Sequence, residues 1–438
     1  MARKSTDPDQ DPLADRLASL RRRLRHLGVT RGDEVPSRAP VIQRGPDIEA
    51  LVKGVVDETP AGSCFRTVRL YPGSTRHGGA VLTDWLTLAP ATLAALAGDP
   101  RVAHAETHQV IFLDTETTGL GGSGTLVFEV GIGRFDTDGN FEVHQFFLRD
   151  PAEEPAMLHR LTELIPSHAV LATFNGRSFD VPLLAGRLVL NRRPPTLEQQ
   201  PNLDLLMPAR RLWKRRLPSC ALSSLEGSVL GLHRSGEDVP GYLIPALYND
   251  YLRTRDARQM VRVLYHNEMD ILSMVSLGVR LARAFEAPDD PLLHVEDRLS
   301  LARWYEAAGS LERAEAAYRA ALEQAPDALT RYEALAGLAS LLKSANRRAE
   351  AEPLWADLAD LHHDIRGHEE LAKYYEWHHI NLAQALEWTE RGLRLAESWY
   401  PGLRRTEALR ALTHRRSRLL RKIAGQGDGY GGGQDAEE

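Results

Sequence analysis

An apolar run, Val110-Ile111-Phe112-Leu113, ends abruptly in Asp114-Thr115-Glu116-Thr117-Thr118-Gly119-Leu120. A run without polar positions is what a strand buried on both faces needs, as in sheets covered by helices. Because strand side chains alternate, Asp114 and Glu116 point to one face, about 6–7 Å apart. Two carboxylates at the end of a buried strand need a counter-charge, and no Lys or Arg occurs between Gln109 and Gly133 to supply it locally. Hard divalent cations such as Mg²⁺ prefer oxygen ligands of this kind, which makes a metal the economical counter-charge.

The flanking sequence builds a sheet around that strand. Apolar runs over 126–135 and 141–148 meet across Asp136-Thr137-Asp138-Gly139-Asn140, whose Asp-Gly step suits the positive φ of a tight hairpin. A helix over 155–165, a strand over 169–174, a helix over 179–190 and a strand over 203–206 follow, then helices over 245–253 and 257–285. This order predicts an α/β fold with a mixed five-stranded sheet and helices on its faces.

Two more acidic sites fall within that segment. Asp180, in Asn175-Gly176-Arg177-Ser178-Phe179-Asp180, opens a helix, where the dipole favours a carboxylate. Asn175 can orient it or a substrate phosphate; a plain helix cap is the alternative. His266 and Asp270 lie one turn apart on the last long helix and project from one face. Either site alone reads as a cap or a surface pair, whereas D-x-E, N-x-x-x-F-D and H-x-x-x-D in one mixed α/β segment point to a shared centre.

The chain has 438 residues, enough for two or three domains, with 54 Lys and Arg against 60 Asp and Glu and a net charge of −6. Cys64 and Cys220 support neither a disulfide framework nor a zinc site, so a reducing, cytoplasmic compartment fits. With no signal-peptide pattern and no stretch of 18 apolar residues, no membrane association is expected. The expected organisation is a charged mobile arm at 1–40, a strand-rich lead-in at 41–106, the α/β domain at 107–286, a helical repeat at 292–424 and a disordered tail at 425–438. In the repeat region Leu301, Ala302, Tyr305, Gly309, Leu311, Ala314, Tyr318, Ala321 and Pro326 fit a tetratricopeptide-like hairpin, followed by two weaker copies. An irregular helical bundle is the alternative.

On these motifs the stretch from about 109 to 283 resembles the ribonuclease-H-like DEDD superfamily of 3′–5′ exonucleases. With helical repeats behind it, the chain most resembles the YprB-like exonuclease-domain proteins. The resemblance implies metal-ligand roles for Asp114, Glu116, Asp180 and Asp270, a general-base role for His266 and a supporting role for Asp204. It also implies two divalent cations, Mg²⁺ or Mn²⁺, and hydrolysis of nucleic acid at a 3′ end. His266 stands four residues before Asp270, where some members carry tyrosine, and Tyr265 stands five before, where others carry histidine. On an ideal helix the residue four before lies only about 40° from Asp270, against about 140° for the other, which favours His266.

Nucleic acid as a partner requires positive charge on the rim. Arg210, Arg211, Lys214, Arg215 and Arg216 surround Trp213, a composition suited to phosphates and a stacked base, or to a solvated helix face with Trp213 packed inward. The repeats imply a concave surface for a protein or an extended strand. Two rivals remain open: an adaptor that binds nucleic acid without cutting it, and a structure-specific endonuclease using the same metals.

Overall fold

A computed structural model describes residues 44–427, apart from 120, 121, 123 and 292. The expected arm at 1–40 lies outside the described residues. Strands Val55–Thr59 (β1), Gly62–Tyr71 (β2), Val110–Thr117 (β3), Val127–Phe135 (β4), Phe141–Phe147 (β5), Val170–Thr173 (β6) and Asn202–Asp204 (β7) form one sheet. Among the described residues its order is β1-β2-β5-β4-β3-β6-β7. β3 pairs with β6, and β6 with β7, in parallel; the other pairs are antiparallel.

The mixed α/β sheet is therefore present and wider than expected, because the lead-in contributes β1 and β2. β2 runs along β5 from Phe65 opposite Phe147 to Tyr71 opposite Phe141. In its second half Val68, Arg69 and Leu70 are all exposed, a pattern that does not announce membership of a buried sheet. The β4–β5 hairpin turns where the Asp-Gly step predicts, with Gly139 at φ 81° and Asp136 Oδ1 accepting from the N–H groups of Asp138 and Asn140 at 2.9 and 2.8 Å.

Helices Pro90–Ala97 (α1), Glu154–Leu164 (α2), Asp180–Leu190 (α3), Leu206–Trp213 (α4), Ile244–Thr254 (α5) and Arg258–Glu286 (α6) cover the sheet. Alternation along β3 divides the core. Val110 and Phe112 pack on the side of Trp85, Phe141 and Ile271, with Trp85 edge-on to Phe112 at 4.8 Å. Ile111 and Leu113 pack on the side of Phe128 and Tyr248, whose rings stack at 3.9 Å. Asp114 and Glu116 continue the Phe112 face, towards α6. That helix lies close because β4 has Gly131 and Gly133 beneath it: a side chain at Gly131 would overlap Asn267, and one at Gly133 would overlap Ile271 and Phe141.

Helices Val295–Ala307 (α7), Leu311–Glu323 (α8), Ala328–Ser344 (α9), Arg348–Leu361 (α10), Ile365–Trp377 (α11), Leu382–Glu397 (α12) and Leu403–Gly427 (α13) follow, each packed on the next. The first, third, fifth and seventh start at Val295, Ala328, Ile365 and Leu403, intervals of 33, 37 and 38 residues. Stacked helical pairs are present; a constant 34-residue period is not. The last helix passes the expected boundary at 424, and the tail from 428 lies outside the described residues. No helix among the described residues is long and apolar enough to cross a membrane.

Candidate active site

The end of β3 sets the site. Asp114 and Glu116 are joined there by Asp180, which opens α3 at 5% exposure and whose Oδ1 accepts from the Thr115 hydroxyl. One turn apart on α6, His266 and Asp270 meet them: His266 Nε2 is 3.9 Å from Glu116 Oε1 and 3.6 Å from Asp270 Oδ2. All four carboxyls titrate above their ordinary range, chiefly because burial penalises the charged form. Asp114 is raised further by repulsion from Asp270, Asp180 and Glu116, and Asp180 is held at about 6. The fold thus gathers acids separated by up to 156 positions in the chain (114 to 270) into one field.

The supporting residues divide by how they act. Asp204 Oδ1 accepts from the backbone N–H groups of Asn175 at 2.8 Å and Leu206 at 3.1 Å, and Oδ2 from that of Arg177 at 3.3 Å. It thereby pins the turn leading to Asp180. Asn175 contributes through its backbone, in the left-handed region at φ 66°. Gly176 is required beside it, because a Cβ there would crowd Thr173 and come within 2.9 Å of Asp180 Oδ2.

Several groups were not legible as site residues from the sequence. Asn267 Nδ2 donates to Asp114 Oδ2 at 2.9 Å. Gln145 Nε2 donates to Asn267 Oδ1 at 3.0 Å, and Thr67 Oγ1 donates to Gln145 Oε1 at 3.3 Å. Thr67, Gln145, Gly131 and Asp114 lie in one row across the sheet, so the lead-in helps to orient the first acid. Glu129, opposite Glu116, is fully buried with Oε2 unpartnered and titrates well above its usual range through burial and the charge of Asp114. A lone acid inside the apolar run 126–130 was the available signal.

Arg234 is the other addition. It pairs with Asp270, with Glu226 at 2.7 Å and with Asp238 at 3.5 Å. Asp238 Oδ1 also lies 2.8 Å from His266 Nδ1. Nδ1 thus stands between an acceptor and a donor, Arg234 Nη1 at 3.2 Å; with the ring hydrogen on Nδ1, towards the shorter carboxylate contact, the Nε2 lone pair faces the acids. Tyr265 turns away: it receives the Ser235 hydroxyl at 3.3 Å and lines a neighbouring cleft with Arg69, Arg258 and Arg262.

The donor set is all oxygen, buried and under-compensated, which suits a hard divalent cation. No three His, Cys, Asp or Glu side chains among the described residues are arranged to close on one ion. Arg234 supplies part of the positive charge instead, at Asp270.

The basic run takes a different place from the one expected on nucleic acid. Trp213 is buried in the core and has no face free for a base. Arg215 pairs with Glu333 of α9, Arg216 Nε lies 3.0 Å from Asp297 of α7, and Arg211 lies over the Trp304 ring at 5.2 Å. These three join the α/β domain to the helical region; Arg210 and Lys214 remain exposed.

This α/β domain is that of the ribonuclease H superfamily: the RNase_H superfamily model matches residues 111–282. Over 335 residues the chain is 31% identical to protein YprB of Bacillus subtilis (strain 168), covering 74% of this chain and 78% of that protein. It belongs to the YprB family.

Proposed function

We propose that the chain is a metal-dependent 3′–5′ exonuclease that hydrolyses phosphodiester bonds of nucleic acid. Its ribonuclease H superfamily domain gives it a nuclease-like fold, and nucleases of this superfamily generally use divalent metal ions. The observation that carries the reading is that Asp114, Glu116, Asp180 and Asp270 lie close enough to repel one another, with Glu116 and Asp270 at 3.9 and 3.6 Å from His266 Nε2. Those four acids would hold two cations, Mg²⁺ or Mn²⁺. When bound, such ions lower the pKa of water and offset charge on a leaving oxygen.

His266 supplies the base. Its Nε2 takes a proton from the attacking water as the water oxygen bonds to phosphorus. The bond from phosphorus to the 3′ oxygen of the shortened strand then breaks, that oxygen takes a proton from solvent water, and His266 returns its proton to solvent. Asp238 holds the ring at Nδ1 throughout. End-labelled DNA and RNA strands, incubated with Mg²⁺ or Mn²⁺, test the proposal. A ladder receding from the 3′ end supports it, internal cuts favour an endonuclease, and binding without products defeats it.

One observation favours a second reading, a domain that binds without cutting. Arg234 sits on Asp270, where the proposed reaction needs a free ligand. An Arg234→Ala protein that gains cutting, beside an unsubstituted protein that has none, would establish it.

A further inference from the structure

In a chain of net charge −6, α13 carries eight Lys and Arg against one acid, Glu407. Its apolar side is already used, with Leu412 and Leu419 buried against the preceding helices. Arg415, Arg418 and Lys422 converge on the single carboxylate of Glu376, at 2.9, 2.6 and 2.9 Å. Glu376 is fully covered, so three cations meet one buried charge and the surplus faces outward. Arg410 and Arg421 lie exposed on the outer side with no acidic partner among the described residues, and His414 is exposed between them. At 1.5 Å per residue, Arg410 to Arg421 spans about 16 Å, the length of about five phosphates along one strand of a duplex. Arg404, exposed about 120° round the helix from Arg410, lies over the Trp399 ring at 4.8 Å. Two exposed aromatic rings belong to the same region, Trp377 at 49%, with Arg415 and Arg418 over it at 5.2 and 5.5 Å, and Tyr400 at 95%, just before the helix; cations and π-faces together are what single strands stack on.

We propose that α13 is a second nucleic-acid-binding surface, holding the sugar-phosphate backbone of a strand at the end of the helical region opposite to the α/β domain. The proposal rests on the nucleic-acid reading above only in naming the polyanion. Charge complementarity selects a phosphate backbone. A bilayer surface is the less suitable polyanion, because the helix has spent Leu412 and Leu419 on packing and has no broad apolar face to insert.

The test uses the full chain, chelator and a fluorescent 30-nucleotide phosphorothioate strand, so its outcome does not depend on whether the chain cuts. Arg404, Arg410 and Arg421 are replaced together by Gln, and in a second protein by Lys. The Gln variant is expected to bind about tenfold more weakly, with the slope of log K against log salt reduced by about 2. The Lys variant, which keeps the charges, is expected to retain both. Unchanged affinity and slope in the Gln variant would overturn the proposal. So would an equal loss in the Lys variant, since that marks a packing role. Tighter recruitment of the unsubstituted protein to phosphatidylserine vesicles than to the strand would also overturn it. A strand that binds through α13 but is never cut with metal would instead defeat the exonuclease reading and leave this one standing.

Discussion

The acid pocket and the terminal helix carry opposite charge by opposite means. The acids come from four segments, Asp114 with Glu116, Asp180, Asp270 and Glu129, and only the fold brings them together; Asp180 and Glu129 are buried, the others half-buried, and each is destabilised in its charged form. The cations of α13 are contiguous in sequence, mostly exposed, and held on one helix that needs no tertiary convergence. Buried like charges acquire perturbed chemistry, whereas exposed like charges acquire long-range attraction that salt weakens. Substitutions should separate the two: those in the pocket alter the chemical step, and those on the helix alter binding.

The largest effect is expected from Asp114→Ala, which removes a proposed ligand and strands Asn267 Nδ2. Metal-dependent release of nucleotides should be abolished while the salt slope of strand binding in chelator stays as it was. Residual cutting by the purified variant would remove Asp114 from the ligand set. A change in slope would show that pocket and helix are not separable. His266→Ala follows, with a rate lowered by about 10²–10⁴ and metal affinity largely kept. Tyr265→Phe, changed away from the acids, is expected to leave the rate near that of the unsubstituted protein; if it proves the more damaging, the base has been misassigned.

Titration offers a third separation. Carboxyls whose pKa is raised by folding stabilise the protein at low pH and lose that contribution as pH rises through the folded value, which for Asp180 is about 6. In chelator the melting temperature should therefore fall between about pH 5 and pH 7. Mg²⁺ should remove that fall by offsetting the charge. A melting temperature in chelator that is flat across this range would mean Arg234 already compensates the pocket.

Much of the pocket was legible because its acids occupy motif positions on elements that the apolar periodicity places well. The helix expected over 257–285 is Arg258–Glu286, and that expected over 179–190 is Asp180–Leu190. What escaped was lateral. Gln145 and Thr67 reach the site only because strand pairing puts them in register with Asp114. Arg234 reaches it from an irregular segment, where no periodicity predicts direction. The basic run at 210–216 left two readings open for the complementary reason: composition cannot say whether a cation faces water or a carboxylate on another domain, and Arg215 and Arg216 face Glu333 and Asp297.

Gly131→Ala tests how tightly the lateral support is set. The added methyl would occupy the place of the Asn267 amide, and overpacking of this kind costs about 1–3 kcal/mol. Activity should fall beyond what lost stability explains, since the amide that orients Asp114 is displaced. Gly131→Ala combined with Asn267→Ala should regain stability, read by thermal melting, without regaining activity. Recovery of both would make Asn267 a space-filling residue.

The smallest effects belong to the interdomain run. Asp297→Ala leaves Arg216 without its partner, but Arg216 is 25% exposed and can regain water, so the cost should be about 1 kcal/mol. Arg210→Gln with Lys214→Gln removes the two cations that remain free there. If the phosphate contacts lie on α13, this pair should weaken strand binding by no more than about twofold and lower the salt slope by less than about 1. A loss as large as that from the Arg404, Arg410 and Arg421 substitutions would place the main contact on the interdomain run, and the assignment of strand binding to the terminal helix would fail.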